Sequence, residues 1–237
     1  MYRGKPKPTG VFQAQTAFPP TNFSVLYHQG DIPCRVDLKG GEDEKPGGPP
    51  GGRAILWTNP GGVKKLDLDK YLPVFVEGLR EKAEPQTFLA TAGLDEMLDG
   101  VPVKVLIKQL RGIIYPLKDG LRTLDDEVVF RVLNAIHKIG KRSDALAEAF
   151  VQYFPVILPV VELLRNKYAK FGRVVARPKS VKADPKKFVK LERLKRNEPD
   201  LYALIQNILE YFERHGGLHA YVTIKKLIPM YESALFS

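Results

Sequence analysis

From residue 67 onward, apolar residues recur three and four apart, the period of a helix with one buried face. The clearest run is Leu201, Leu204, Ile205, Ile208, Leu209 and Phe212, with Pro199 in its first turn and Gly216 just beyond its end. Val128, Val129, Val132, Leu133, Ile136 and Ile139 make a second such face. Asp125, Asp126 and Glu127 open it, where the helix dipole favours negative charge, and Gly140 is expected to close it. The same pattern predicts helices from Asp67 or Asp69 to about Glu81, from Pro85 to about Asp99, and from about Val103 to Arg122. Three more come after these, from a Ser143 cap to about Tyr153, from Phe154 to about Tyr168, and from about Leu218 to Leu235. Upstream the pattern changes. A short helix from a Thr21 or Asn22 cap through Tyr27, ended by Gly30, precedes two β-like runs, Ile32 to Val36 and Ala54 to Trp57. The segment between them holds six Gly and three Pro with a Glu-Asp-Glu-Lys cluster, so it reads as the tip of a small hairpin that buries no apolar surface.

A proline recurs on this helical pattern. Pro73, Pro116 and Pro159 are 43 residues apart each time. Each follows two large apolar residues, Tyr71-Leu72, Ile114-Tyr115 and Ile157-Leu158, and Pro229 follows Leu227-Ile228 in the same way. Leucine comes within six positions after each, at Leu79, Leu121, Leu164 and Leu235. An interval of 43 is the length of a HEAT or armadillo unit, and a fourth unit ending at Pro229 fits if about 27 residues are inserted before it. The expected fold is therefore all-α, an armadillo- or HEAT-like α-solenoid with a small N-terminal β-hairpin. Residues 1–20, rich in Pro, Gly, Lys and Thr, are expected to be an extended arm. Residues 21–237 form one domain, interrupted by loop 38–53 and a basic insertion at 169–197.

Charge sharpens this division. The chain of 237 residues has a net charge of +10 and 44% apolar residues, ordinary for a globular protein. Between Arg165 and Arg196 there are 13 Lys or Arg against Asp184 and Glu192, a local balance of +11, while the remainder has 24 basic and 25 acidic residues. The excess positive field thus belongs to one segment, which suits an anionic partner such as nucleic acid, an acidic protein surface or acidic lipid. A solvated disordered loop is the plainer reading. The N-terminus has basic residues with no apolar stretch after them, so no secretory signal is expected. The most apolar run, Phe154 to Leu164, is too short to span a bilayer and carries Pro155, Pro159 and Glu162. A single cysteine, Cys34, rules out an internal disulfide and fits a reducing compartment.

Catalytic patterns are not found. His215 and His219 have helical ligand spacing, but Gly216 and Gly217 between them end the helix, so His215 is better placed as a C-terminal charge on the dipole. Cys34 and His28 lack a partner at a recognisable spacing, which leaves Cys34 structural. Gly140-Lys141-Arg142-Ser143 shares letters with a phosphate loop, but Ala135 stands where the earlier glycine belongs and the segment before it reads as helix. No enzyme, cofactor or metal is expected.

The run Phe212-Glu213-Arg214-His215-Gly216-Gly217, followed by Ala220, Ile224-Lys225, Pro229 and Tyr231-Glu232-Ser233, resembles the C-terminal signature of the parkin co-regulated protein family. Gly30-Asp31-Ile32-Pro33, Trp57, Tyr71-Leu72-Pro73 and Gly78-Leu79 occur in the family's order. Cys34-Arg35, Arg80-Glu81 and Asp125-Asp126-Glu127-Val128 also resemble its parkin co-regulated-like sister branch. The resemblance covers about residues 21 to 237; the Gly-Pro loop and the basic insertion exceed the pattern. It implies an armadillo-like protein without enzymatic activity that binds α/β-tubulin inside ciliary or flagellar doublet microtubules. There it would close the inner junction beside a small β-rich protein and other microtubule inner proteins. Cytoplasm, cytoskeleton and axoneme are the implied locations.

Candidate partner contacts come from charge and from this signature. They are Arg173, Arg177, Lys179, Lys182, Lys186, Lys187, Lys190 and Arg193 in the insertion, and Lys225, Tyr231 and Glu232 near the C-terminus. Tyr231 and Glu232 could equally hold the last helix down. The alternative reading is a helical-repeat protein that binds nucleic acid through the insertion, where Tyr168, Phe171 and Phe188 lie among the charges. A soluble adaptor that holds peptides on its concave face is a third.

Overall fold

The computed structural model describes residues 18–37, 53–174, 200–233 and 235, with positions 170–174 as backbone alone. The expectations for residues 1–17 of the N-terminal arm, for nearly all of the Gly-Pro loop and for most of the basic insertion lie outside the described residues. So does Pro199.

Helix starts obey local capping chemistry. Thr21 accepts from the Ser24 N–H and opens α1 (Asn22–Gln29), which Gly30 ends at a positive φ of 80°. Asp67 opens α2 (Leu68–Gly78), and Pro85 precedes α3 (Gln86–Gly100). Pro102 precedes α4 (Val103–Arg122), whose bounds are those the sequence predicts. Asp125 accepts from the N–H groups of Glu127 and Val128, each at 3.2 Å, and opens α5 (Asp126–Arg142). Ser143 caps α6 (Asp144–Val151), and α7 (Phe154–Val174) comes after a bend of 87°. Asp200 caps α8 (Leu201–His215), and α9 (Ala220–Leu227) is last. A two-stranded antiparallel sheet, β1 (Cys34–Asp37) and β2 (Ala54–Trp57), pairs Cys34 with Trp57 and Asp37 with Ala54. The described residues are mostly helical with this one small sheet, as the periodicity predicts.

The helices pack in sequence order as two rows. α2, α4, α7 and α9 lie side by side in one, and α3, α5 and α8 in the other. α2 also packs on α3, α4 on α5 and α7 on α8, while α6 fills the corner between α4, α5 and α8. Pro73, Pro116 and Pro159 all lie inside helices of the first row, so the proline period marks one face of the stack. One apolar core runs through the layers from Phe23 to Tyr231, with Phe150, Phe154 and Phe212 in mutual ring contact at 5.3 to 6.3 Å.

Polar ties between successive units keep the same step. Lys82 Nζ donates to Asp125 at 2.5 Å, and Lys167 Nζ to Asp126 at 2.8 Å and to the Leu124 carbonyl at 3.0 Å. On the second row Lys138 reaches Asp99 at 2.8 Å, and Arg142 donates to the Leu98 and Asp99 carbonyls. These partners are 39 to 44 residues apart, close to the 43-residue step of the prolines.

Three expectations change. Gly140 does not end α5, which runs to Arg142. A Cβ on Gly140 would come within 2.9 Å of Phe212 Cζ, so its missing side chain admits the α8 ring. The last helix ends at Leu227 instead of Leu235, because Pro229 has no N–H to give and pushes Ile228 out of helical geometry, to φ −127° and ψ 81°. Pro229 therefore differs from the other three prolines, which are tolerated mid-helix. α7 runs past Tyr168 to Val174.

Candidate functional site

The stretch after α9 folds back on the stack and is held there. Tyr231 is only 1% exposed, and its hydroxyl donates to Glu213 Oε2 on α8 at 2.7 Å. Ser233 Oγ donates to the other oxygen of the same carboxylate, which is itself buried. From α9, Lys225 Nζ donates to the Tyr231 carbonyl at 2.7 Å, and from α7, Arg165 Nη2 donates to the Met230 carbonyl at 3.2 Å. Burial, then the bond to Glu213, holds the Tyr231 phenol well above its ordinary pKa. The expectation that Tyr231 is a partner contact is corrected: its ring and hydroxyl are spent inside the molecule. Lys225 is exposed along its stem but engaged at its tip, and Glu232 faces solvent.

Gly216 and Gly217 make this return possible. Gly216 caps α8 with its N–H on the Phe212 carbonyl at 2.8 Å, and a Cβ there would lie 2.5 Å from that same oxygen. Gly217 has a φ of 78°, the left-handed region that glycine tolerates. His215 Nδ1 lies 2.9 Å from Asp144 Oδ1, and its ring stacks on Tyr211 at 4.3 Å, while His219 stands at the N-terminus of α9. The two histidines thus part at the helix break. Among the described residues no group of three or more His, Cys, Asp or Glu is placed to hold a metal.

Cys34, at the start of β1, is buried, and burial, helped by nearby Glu96, pushes its thiol up to about 12. It stays protonated at neutral pH. Between α3 and α5 an open groove of about 450 Å³ is lined by Leu94, Phe130, Arg131, His137 and Lys141 among others. Arg131 Nε and Nη2 are buried there without a hydrogen-bond partner among the described residues, and burial lowers its pKa against the opposing pull of Glu127, Asp125, Glu84 and Glu81. Burial and then Lys141 lower that of His137.

Of the insertion candidates, Arg173 is placed by backbone alone, and Arg177, Lys179, Lys182, Lys186, Lys187, Lys190 and Arg193 lie outside the described residues. The folded part carries a basic surface that summing charge along the chain misses. On α4 the positions Lys104, Lys108, Arg111, Tyr115, Lys118 and Arg122 advance by four and three residues alternately, which puts them on one line of the helix. The opposite face holds Leu106, Leu110, Ile113, Ile114, Leu117 and Leu121 in the core. Lys104, Lys108 and Arg111 are exposed, Lys118 is half-buried, and none of the four has an ionic or hydrogen-bonded partner among the described residues. Among the described residues Arg122 pairs with Asp119 alone, at 3.7 Å. Tyr115, 63% exposed, interrupts the line near its middle. The helical period of like charge is the signal in the sequence that marks this face.

A family model described as Parkin co-regulated protein matches residues 21–233. The chain is also 30% identical over 237 residues to the Parkin coregulated gene protein homolog of Mus musculus, covering 99% of this chain and 85% of the mouse protein. The residues so matched include the α8–α9 break and the Tyr231 clasp, and the chain belongs to the parkin co-regulated protein family.

Proposed function

We propose that this chain is an armadillo-like α-solenoid that serves as a non-enzymatic structural protein of microtubules. In this reading it binds the α/β-tubulin lattice in the lumen of ciliary or flagellar doublets, at the inner junction, beside a small β-rich partner. The observation that carries the reading is the pair of helix rows with a 43-residue step. Such a stack offers a long surface that can lie along a filament and repeat with it, so that each contact can be weak while the sum is strong. Family membership supports it. So does the basic face of α4, since an acidic lattice attracts positive charge and gains association rate from it.

Co-sedimentation with assembled microtubules tests the proposal. The full chain is expected in the pellet at low salt, released in part as salt rises, and tagged protein is expected along the axoneme in ciliated cells. A chain that stays in the supernatant at low salt and is absent from purified axonemes would remove it. Nucleic acid is the competitor to include. If RNA displaces the chain from microtubules, and RNA affinity falls steeply with salt, the nucleic-acid reading takes its place.

A further inference from the structure

Among the described residues the outer face of α4 makes one ionic contact, Arg122 with Asp119. Its cations stand three and four residues apart, where like charges repel and weaken the helix by a few tenths of a kcal/mol per pair. The core-facing leucines and isoleucines hold α4 without them. Lys104, Lys108, Arg111 and Lys118 repel one another and have no partner among the described residues, so their charge points outward.

We propose that this face of α4 is a docking strip for an acidic helix of a partner protein. From Lys104 to Arg122 the strip is about 27 Å long and its residues fall within an arc of roughly 80°. Their alternating four-three spacing is the seam spacing of two helices packed at a shallow angle, so a partner with Glu or Asp at the same spacing meets a cation at each turn. The charges available to it are Lys104, Lys108, Arg111 and Lys118, all unpaired among the described residues. Tyr115 supplies what charge does not, an exposed ring with a hydroxyl that can fix register at the centre. A single row of cations along one helix is a poorer match to duplex nucleic acid, whose two phosphate rows wind away from it. Tyr115 is also the only stacking ring on the line, and one exposed aromatic gives little grip on single-stranded bases. For a lipid surface the strip has too little to insert, since Val105 beside it is 36% exposed and the line itself has no aliphatic residue.

The test uses the full chain and a labelled, end-capped 21-residue peptide with Glu on one face at four-three spacing and Ala and Gln elsewhere. A scrambled peptide of the same composition is its control, and fluorescence anisotropy at 50 mM and 150 mM salt is the readout. The patterned peptide is expected to bind several-fold more tightly than the scrambled one. The variant K104E/K108E/K118E should weaken it about tenfold and leave the scrambled peptide's binding unchanged. K104E/K108E, which alters only exposed positions in the first two turns, should weaken it about threefold and guards against a folding defect in the triple variant. Equal affinity for the two peptides, or a K104E/K108E protein that binds like the wild type, would overturn the proposal. So would a strip whose reversal abolishes binding of a 20-base-pair duplex or of phosphatidylserine vesicles while the patterned peptide does not bind. The probes contain no tubulin, so this inference and the microtubule reading can fail separately.

Discussion

The joints between successive units and the clasp at the C-terminus are held by different chemistry. At the joints, cations reach carboxylates and carbonyls about 43 residues away, in pairs with one exposed and one partly buried member: Lys82 is 64% exposed against 31% for Asp125, and Asp126 65% against 32% for Lys167. At the clasp, Tyr231 and Glu213 meet in the dry interior. The joints already have long helices of 11 to 21 residues burying a continuous core, so their ties fix register more than they add stability. α9 has eight residues, too few to be stable alone, and residues 228–233 beyond it form no helix or strand. The end of the stack therefore depends on buried partners, and the two regions should respond very differently to the loss of one side chain.

The clasp gives the largest expected effects. Tyr231→Ala removes a fully buried ring and should cost about 3–5 kcal/mol, a fall of roughly 10 °C or more in Tm. Tyr231→Phe keeps the ring and takes one donor from a buried carboxylate, for about 1–3 kcal/mol. A Tyr231→Phe protein that melts with the wild type would show that packing alone holds the clasp. Next come the glycines. Gly216→Ala sets a Cβ against a backbone oxygen that cannot move without breaking the α8 cap, so about 1–3 kcal/mol is expected. Gly140→Ala meets a ring edge, which can tilt, and should cost less. Thermal melts that reverse this order would mean that the α5–α8 packing is tighter than the α8–α9 break.

The same division sets what the sequence reveals. Thr21, Asp67, Asp125 and Ser143 cap helices as local chemistry predicts, and α4 has its predicted ends, because caps and periods are properties of neighbouring residues. Gly140 reads as a stop because a bare glycine is one; only the approach of Phe212, 72 positions later, makes it a packing residue. Tyr231 reads as a surface signature because its partner Glu213 is reached through a chain reversal whose geometry no period encodes. Asp200, the α8 cap, is masked in the sequence by the more conspicuous Pro199 beside it. The basic face of α4 is legible in principle. Its like charges lie on one line only when indexed by helical period, and in a linear sum they vanish beside the +11 insertion.

At the joints, Asp126 accepts two bonds, from Lys167 Nζ and from the Tyr168 hydroxyl, each at 2.8 Å. Burial and then this bond hold the Tyr168 phenol above its ordinary pKa. Asp126→Ala leaves that half-buried hydroxyl without its carboxylate and should cost about 1 kcal/mol, a shift of roughly 2–4 °C in Tm. A loss as large as that of Tyr231→Ala would erase the distinction between joint and clasp.

The smallest effect has a pH signature. Asp125 is held below its ordinary pKa of 3.8, first by the hydrogen bond from Lys82 and then, against the opposing effect of burial, by the N–H of Val128, the Lys82 charge and the N–H of Glu127. A depressed carboxylate contributes stability above its unfolded pKa and loses it as pH falls through the folded one. Lys82→Met should therefore cost about 0.2–1 kcal/mol at neutral pH, since both partners are partly solvated. The capping bonds from Val128 and Glu127 survive in the variant, so the difference from wild type isolates the Lys82 share. That difference should stay level from about pH 8 to 5 and shrink below about pH 4, as the carboxyl is protonated in both proteins. Urea melts across this range measure it. A gap that widens on acidification would mean that Lys82 acts elsewhere, and that the first joint is held by its core alone.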